Sequence, residues 1–312
     1  MAHLENFRLK VFRTVGATLS FRKAAEQLFL TQPAVTLQIK GLEKDLGLRL
    51  FDRGRRGVAI TAAGATLLRY ANQLARLAAE AEEELGVNAG STAGTLSLGV
   101  STTIAQYVLP RLLGAFLREF PGIQLSLRSG NTQEVVRHLL EGEVAIGLIE
   151  GPAHESNLRS EPLMQDELVL IVPADFAPDS VSIRQLQSFT LLIREQGSGT
   201  RDVVESALQR AGAPLASFAS VIHLDSTEAI KSAVEAGLGA GFVSRWSIQK
   251  EIELGTVRTI PVQGLRITRY FSIVSPAGTA PHGLAGIFQK FAIARAAMLS
   301  EAEIAAGADK LR

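Results

Sequence analysis

Near residue 94 the chain changes texture, and that change constrains its fold more than any other feature. Before it, apolar residues recur at helical spacing. After it, short apolar runs and amphipathic segments take turns. Gly90-Ser91-Thr92-Ala93-Gly94 sits at the join and reads as a hinge. The 312 residues therefore hold at least two units, as length alone suggests at roughly 150 residues per domain. A hydrophobic content of 46% with 20% charged residues supplies a sizeable core. The absence of cysteine removes disulfide scaffolds, thiolate nucleophiles, zinc ribbons and iron–sulfur clusters together.

The formal net charge of +1 hides an asymmetry. Residues 1–60 carry 11 Lys and Arg against 5 Asp and Glu, while the rest carries 21 against 26. A basic head on a mildly acidic body points to a polyanionic partner, unless the charges only solvate the surface. The arrangement of residues favours the partner. Leu4, Phe7, Val11, Phe12 and Val15 mark a first helix, which Gly16 is expected to close. Ser20 caps a second helix over 21–28. Thr31-Gln32-Pro33 opens a third, with a capping hydroxyl followed by proline in the first turn, where its missing N–H costs nothing. Gly47 ends it.

The expected inward stripe of that third helix is Val35, Ile39, Leu42 and Leu46. Gln32, Thr36, Gln38 and Lys40 lie on the other side. Two short helices joined by a tight turn, the second polar and basic at its start, fit a helix-turn-helix whose second helix enters the major groove of double-stranded DNA. Arg53, Arg55 and Arg56, set with two glycines beside an alternating strand, read as a hairpin wing that lies on phosphates or in the minor groove. A plain three-helix bundle with a basic loop is the competing reading.

Between residues 62 and 87 there is no proline, and the only glycines are Gly64 and Gly86. Leu67, Ala71, Leu74, Ala78, Ala81 and Leu85 step by four and three, a heptad seam for a helix pair, or else for packing on the chain itself. From Thr95 the pattern gives strands over 95–100, 123–127, 144–149, 168–172, 190–193, 220–224 and 241–243. Helices are expected over 103–120, 133–141, 200–211 and 227–236, and a last one over 284–305 before a frayed end from Gly307. Repeated βαβ units make parallel sheets with helices on both faces, and in such folds ligands sit beyond the carboxyl ends of the strands.

Four strand-to-helix junctions are rich in small polar residues. They are Ser101-Thr102-Thr103, Gly130-Asn131-Thr132, Gly197-Ser198-Gly199-Thr200-Arg201 and Asp225-Ser226-Thr227. Each alone is ordinary N-capping. Together they make a pocket for a small anion, to which Arg194 and Arg201 add positive charge. Enzyme signatures are missing: there is no Gly-x-Ser-x-Gly, no P-loop and no His-Glu-x-x-His. The five histidines have no ligand spacing, so neither a metal nor a cofactor is expected. Gly237-Leu238-Gly239-Ala240-Gly241 precedes a strand, the wrong order for pyrophosphate binding. Asp166-Glu167 reads as a solvated face. Residues 1–8 hold no apolar core stretch and no run reaches 18 apolar residues, so a cytoplasmic protein with no membrane partner is expected. Three readings stay open: a DNA-binding regulator with an anion-sensing domain, a small-anion solute-binding protein, and an enzyme acting on a phosphorylated metabolite.

Ala24-Ala25-Glu26-Gln27-Leu28, Thr31-Gln32-Pro33-Ala34-Val35-Thr36, Gln38-Ile39, Leu42-Glu43, Leu46-Gly47, Leu50-Phe51-Asp52-Arg53 and Thr61-Ala62-Ala63-Gly64 follow in order. That string resembles the signature of LysR-type transcriptional regulators. The resemblance covers essentially the whole chain. It implies a winged helix-turn-helix over 1–61, a dimerising linker helix over 62–89 and a hinge over 90–94. An effector domain over 95–312 follows, like a two-lobed periplasmic binding protein, with lobe I at 95–165 and 272–312 and lobe II at 168–262. It further implies promoter DNA as partner, a tetramer of paired subunits and contact with RNA polymerase. Arg194-Glu195-Gln196-Gly197-Ser198-Gly199-Thr200-Arg201 with Gly130-Asn131-Thr132 is similar to a subset that regulates carbon fixation and sulfur assimilation. On that resemblance the effector is an oxyanion such as sulfite, or a phosphorylated or carboxylated metabolite.

Overall fold

The computed structural model describes residues 4–54, 57–88, 93–278 and 280–309. Helix α1 (Phe7–Thr18) starts on Asn6, whose side chain accepts from the Arg8 and Leu9 amides. It does not stop at Gly16. It runs two residues on and ends at Leu19 in the left-handed region, φ 45°. Gly16 instead lets a neighbouring helix approach, because a Cβ there would stand 3.1 Å from the Leu68 methyls. Helix α2 (Phe21–Gln27) is capped by Ser20 and α3 (Gln32–Leu46) by Thr31, whose hydroxyl accepts from the Ala34 amide at 3.3 Å. Gly47, at φ 66°, closes α3.

Val11, Phe12, Val15, Phe21, Ala24, Val35 and Ile39 form the core of this head. Of the expected inward stripe, Leu42 is only half-buried and Leu46 is exposed. The hairpin β1 (Phe51–Gly54) with β2 (Gly57–Ile60) pairs Phe51 with Ile60. Phe51 sends its ring between Phe12 and Phe21, with centroids 5.4 and 5.9 Å away.

Helix α4 (Ala62–Asn88) serves two environments. Leu67 and Ala71, expected on the dimer seam, pack into the head of their own chain. Further along, the Gln73 amide donates to the Leu140 carbonyl at 3.3 Å, and Arg13 Nε donates to Asn72 Oδ1 at 2.9 Å. The apolar row left uncovered is Tyr70, Leu74, Leu77 and Leu85. Residue 89 of the expected linker and residues 90–92 of the expected hinge lie outside the described residues.

The remainder is one sheet of nine strands in two parallel halves. β3 (Gly94–Ser101) pairs in parallel with β4 (Ile123–Gly130) and β5 (Ile146–Glu150). The second half sets β7 (Thr190–Arg194) between β8 (Ser220–Leu224) and β9 (Ala240–Ser244), again in parallel. Two long strands join the halves. β6 (Leu158–Pro173) and β11 (Ile267–Pro276) pair antiparallel, close to the crossover strands over 161–172 and 265–274 that the family resemblance implies. β11 also pairs with β5, β6 also pairs with β9, and β10 (Val257–Ile260) adds to β6.

Helices α5 (Leu109–Glu119), α6 (Thr132–Leu140) and α11 (Gly283–Asp309) cover the first half. Phe116 sits there among Phe120, Phe288 and Phe291, with ring centroids 5.0–5.2 Å away. Short α7 (Ile183–Leu186), with α8 (Gly199–Arg210), α9 (Thr227–Glu235) and α10 (Gln249–Leu254), serves the second half. The helix expected over 103–120 runs without interruption over 102–119, with a π-helical turn, Ile104–Val108, ahead of α5. Pro110 suits that turn, because it has no N–H to donate and its ring displaces the carbonyl one turn back. Helix α11 continues to Asp309, past the fraying expected from Gly307. Among the described residues no helix is long and apolar enough to cross a membrane.

Candidate functional site

Two places gather the chemistry. The first is the outer side of α3. Gln32, Pro33, Thr36, Leu37 and Lys40 line one shallow groove there. The helix turns by about 100° per residue, so these five share a side while Val35 and Ile39 point inward. Thr31 is exposed, but its hydroxyl is spent on the cap. Gln38, expected on the reading face, is half-buried and is not a wall of the groove. Leu37, not singled out from the sequence, is 69% exposed beside the groove's polar walls. The wheel arithmetic gives its position directly, and an apolar atom there suits a thymine methyl. No acidic residue lies in the first turn, so the positive end of the helix dipole faces outward unopposed. Arg53 sits on β1. Arg55 and Arg56 lie outside the described residues.

The second place lies between the two halves of the sheet, where strand ends deliver their junctions. β7 ends on Arg194, a guanidinium with only 1% of its side chain exposed. Nη1 donates to Thr227 Oγ1 and Nη2 to Thr102 Oγ1, each at 3.3 Å. Thr102 belongs to the first half and Thr227 to the second, so this one side chain spans them. The Glu195 carboxylate receives Arg194 Nε at 2.7 Å and Nη2 at 3.0 Å, and also Asn131 Nδ2 at 3.3 Å.

Around this pair the expected residues divide by how their polar atoms are used. The hydroxyls of Ser101, Thr103 and Ser198 are buried and have no hydrogen-bond partner. Ser226 is spent capping α9, and Asn131 Oδ1 caps α6. Thr132 Oγ1 donates to the Glu150 carbonyl at 3.1 Å, and Thr200 Oγ1 accepts from Arg269 at 2.8 Å. Gly197, at φ 85°, accepts the Gln133 amide on its carbonyl. Gly199 lies against Glu150, so the loop between them clamps the two halves together.

Arg201 turns to Glu205 at 3.2 Å, to the His223 ring at 3.1 Å and to the Arg194 carbonyl at 3.5 Å. A residue in the first turn of α8 readily meets its i+4 partner.

Two polar groups escaped the sequence reading. Asp166 is buried, not on a solvated face, and takes Arg269 Nε at 2.7 Å and Ser244 Oγ at 2.8 Å. Burial pushes the Asp166 carboxyl up, against the pull of Arg269. Glu150 lies 3.2 Å from the same guanidinium. An acid and an arginine a hundred residues apart give no local sign that they meet. The second group is a bridge from the π-helical turn to α9 and α10. The Tyr107 hydroxyl donates to Glu228, while Lys231 contacts Glu228 and Glu251 at 2.8 and 2.7 Å. Burial and the Glu228 bond push the Tyr107 phenol up to about 12. For Lys231, burial pulls down, but the bonds to Glu228 and Glu251 override it and hold the ammonium above its usual range.

This architecture can be set against known proteins. Residues 89–297 match the LysR substrate binding domain, and residues 7–65 match the bacterial regulatory helix-turn-helix protein of the lysR family. The chain belongs to the LysR family. A LysR-family chain of this kind is a transcriptional regulator and not an enzyme. It is 36% identical over 292 residues to a probable RuBisCO transcriptional regulator of Guillardia theta, covering 91% of this chain and 93% of that one. A full-length OxyR variant from Pseudomonas aeruginosa shares the LysR fold at a TM-score of 0.72 and 23% identity, over 95% of each chain. The regulatory domain of Synechocystis CcmR in complex with 2-PG is 27% identical, with a TM-score of 0.59, over 65% of this chain and 97% of that one.

Proposed function

We propose that this LysR-family regulator binds promoter DNA through the outer side of α3 and the β1–β2 hairpin, and reports a small anion held between its two lobes. One observation carries the sensing half. Three buried hydroxyls, on Ser101, Thr103 and Ser198, have no partner; Thr102, between the first two, takes Arg194 Nη2, and Ser198 follows the buried Arg194 by four residues. Buried polar groups are nearly always satisfied, so buried donors left without a partner support a ligand that would pair them. Hydroxyls, helix N-termini and one guanidinium suit a phosphate or carboxylate. The likeness to CcmR, solved with 2-PG, supports a phosphorylated or carboxylated metabolite over sulfite. The likeness to regulators of RuBisCO supports genes of carbon fixation as targets.

Gln32 and Thr36 would read base edges and Lys40 a phosphate, with Leu37 on a thymine methyl. A second copy would cover Tyr70, Leu74 and Leu77 along α4, two such pairs would make the tetramer, and RNA polymerase would be met in the cytoplasm at the promoter. Domain limits of 1–61, 62–89 and 95–312 fit this division of labour. The decisive experiment has two arms. A gel shift at low ionic strength tests the DNA upstream of the protein's own gene, and no retardation there removes the regulator's reading head. Melting is then followed with sulfite, sulfate, phosphate, 2-PG and sugar phosphates, since a ligand selective for the native state raises the midpoint. Silence across that set removes the anion cleft.

A further inference from the structure

Resting on the anion-cleft reading, we propose that Glu195 is a resident ligand of that cleft. Its carboxylate occupies the donors an incoming anion needs, so effector binding is an exchange of one anion for another on Arg194. The Glu195 carboxylate receives three donors from both sides of the cleft: two guanidinium nitrogens of Arg194 and the amide nitrogen of Asn131. A forked guanidinium contact plus an amide is the treatment an anionic ligand receives in a binding site. Meanwhile the hydroxyls of Ser101, Thr103 and Ser198 stay buried with no partner. Strong donors are spent on the protein's own acid while weaker ones wait unused.

Exposure separates the two partners of the pair. Arg194 is held, with 1% of its side chain accessible, whereas Glu195 keeps 27%. The acid therefore has room to swing out, and the guanidinium stays as the fixed element. Thr102 and Thr227 keep the guanidinium in place from either side, independently of Glu195. The Asn131 contact also joins the lobes without any effector, so the resident carboxylate holds the cleft shut in its own way. A true effector reaches the waiting hydroxyls as well as Arg194, and so closes the lobes in a second arrangement. The device makes the sensor selective. An anion that offers no more than a carboxylate gains nothing over Glu195, while one with additional acceptor oxygens also recruits Ser101, Thr103 and Ser198.

The competing account makes Glu195 only a counter-ion for a buried cation. The full-length chain, wild type and Glu195→Gln, is titrated with inorganic phosphate and with 2-PG by calorimetry, and melting is followed in parallel. Removing a like-charged competitor is expected to tighten phosphate binding in E195Q at least tenfold. Added phosphate should return the variant's melting midpoint to the wild-type value. In the double variant Glu195→Gln, Thr103→Val the gain should disappear, which locates it in the cleft. If the wild type binds either anion and E195Q binds it equally or more weakly, Glu195 orients Arg194 and the exchange is wrong. A destabilised E195Q that no anion rescues overturns the exchange as well. If neither protein binds phosphate or 2-PG, the anion-cleft reading itself fails.

Discussion

Gly199 and Glu150 meet so closely that a Cβ on the glycine would stand 1.4 Å from the Glu150 carbonyl oxygen. Gly199 opens α8 in the second half of the sheet, and Glu150 ends β5 in the first, so the contact fastens one lobe to the other. Gly199→Ala is expected to part them. Overpacking of this kind costs about 1–3 kcal/mol or more, and at ~2–4 °C per kcal/mol melting should fall by at least ~2 °C. A variant that melts with the wild type and keeps its ligand response would contradict the clamp.

The α3 groove predicts two different defects on DNA. Lys40→Ala should weaken binding to all sequences alike and reduce the slope of log affinity against log salt by about 1. Gln32→Ala should leave the slope alone and relax base preference at one position, by roughly 1–3 kcal/mol. Fluorescence anisotropy at several salt concentrations, on matched and mismatched duplexes, reads both. Equal behaviour of the two variants would place the groove off the DNA.

Thr103→Val deletes a buried hydroxyl that has no partner. Losing an unpaired polar group relieves a desolvation cost of ~1 kcal/mol. The unliganded variant should therefore melt no lower than the wild type, and about 2 °C higher at that magnitude. Its response to phosphate should nonetheless fall. Lower stability with an unchanged response would mean the hydroxyl is structural.

Leu77 is 57% exposed on the uncovered row of α4. Leu77→Glu puts a charge on that row without touching the protomer's core. Light scattering should find a smaller assembly, with helix content by circular dichroism retained. An unaltered mass would send the pairing surface elsewhere.

Tyr107 carries a pH signature. Its phenol is raised from 10.0 to about 12 by burial and by Glu228. A raised folded value means that the neutral form is the bound one. Its contribution is complete below pH ~10 and is lost as pH climbs through ~12. A late tyrosine ionisation should be visible by ultraviolet absorbance. Tyr107→Phe should erase the late step only. A late step that survives the substitution is not that of Tyr107, and the bridge to α9 is then weaker than its geometry.

Some of this was legible in one dimension. Ser20, Thr31-Gln32-Pro33 and Gly47 act within three or four residues, so their caps follow from the order of residues alone. The βαβ segments were equally readable, because each apolar run is short and bounded by turn residues. Gly16 misled because a glycine that yields space to another helix looks like one that ends its own. Leu67 and Ala71 misled because a heptad row states that a face is covered, not by what. Ser226 and Thr132 resemble Ser101 and Thr103 in sequence, yet only neighbours from other elements decide which hydroxyls remain free.

Taken alone, then, the order of residues determined the elements, the head's fold and the polar junctions, since capping, periodicity and turn chemistry are short-range. Tertiary structure decided which donors stay unspent, that Thr102 and Thr227 hold the Arg194 guanidinium, and which side of α4 is left bare. Those choices turn on partners such as Thr102 and Arg194, 92 residues apart. The register of β6 against β11 and β9 aligns the two halves of the sheet, and no pattern within a single segment encodes it.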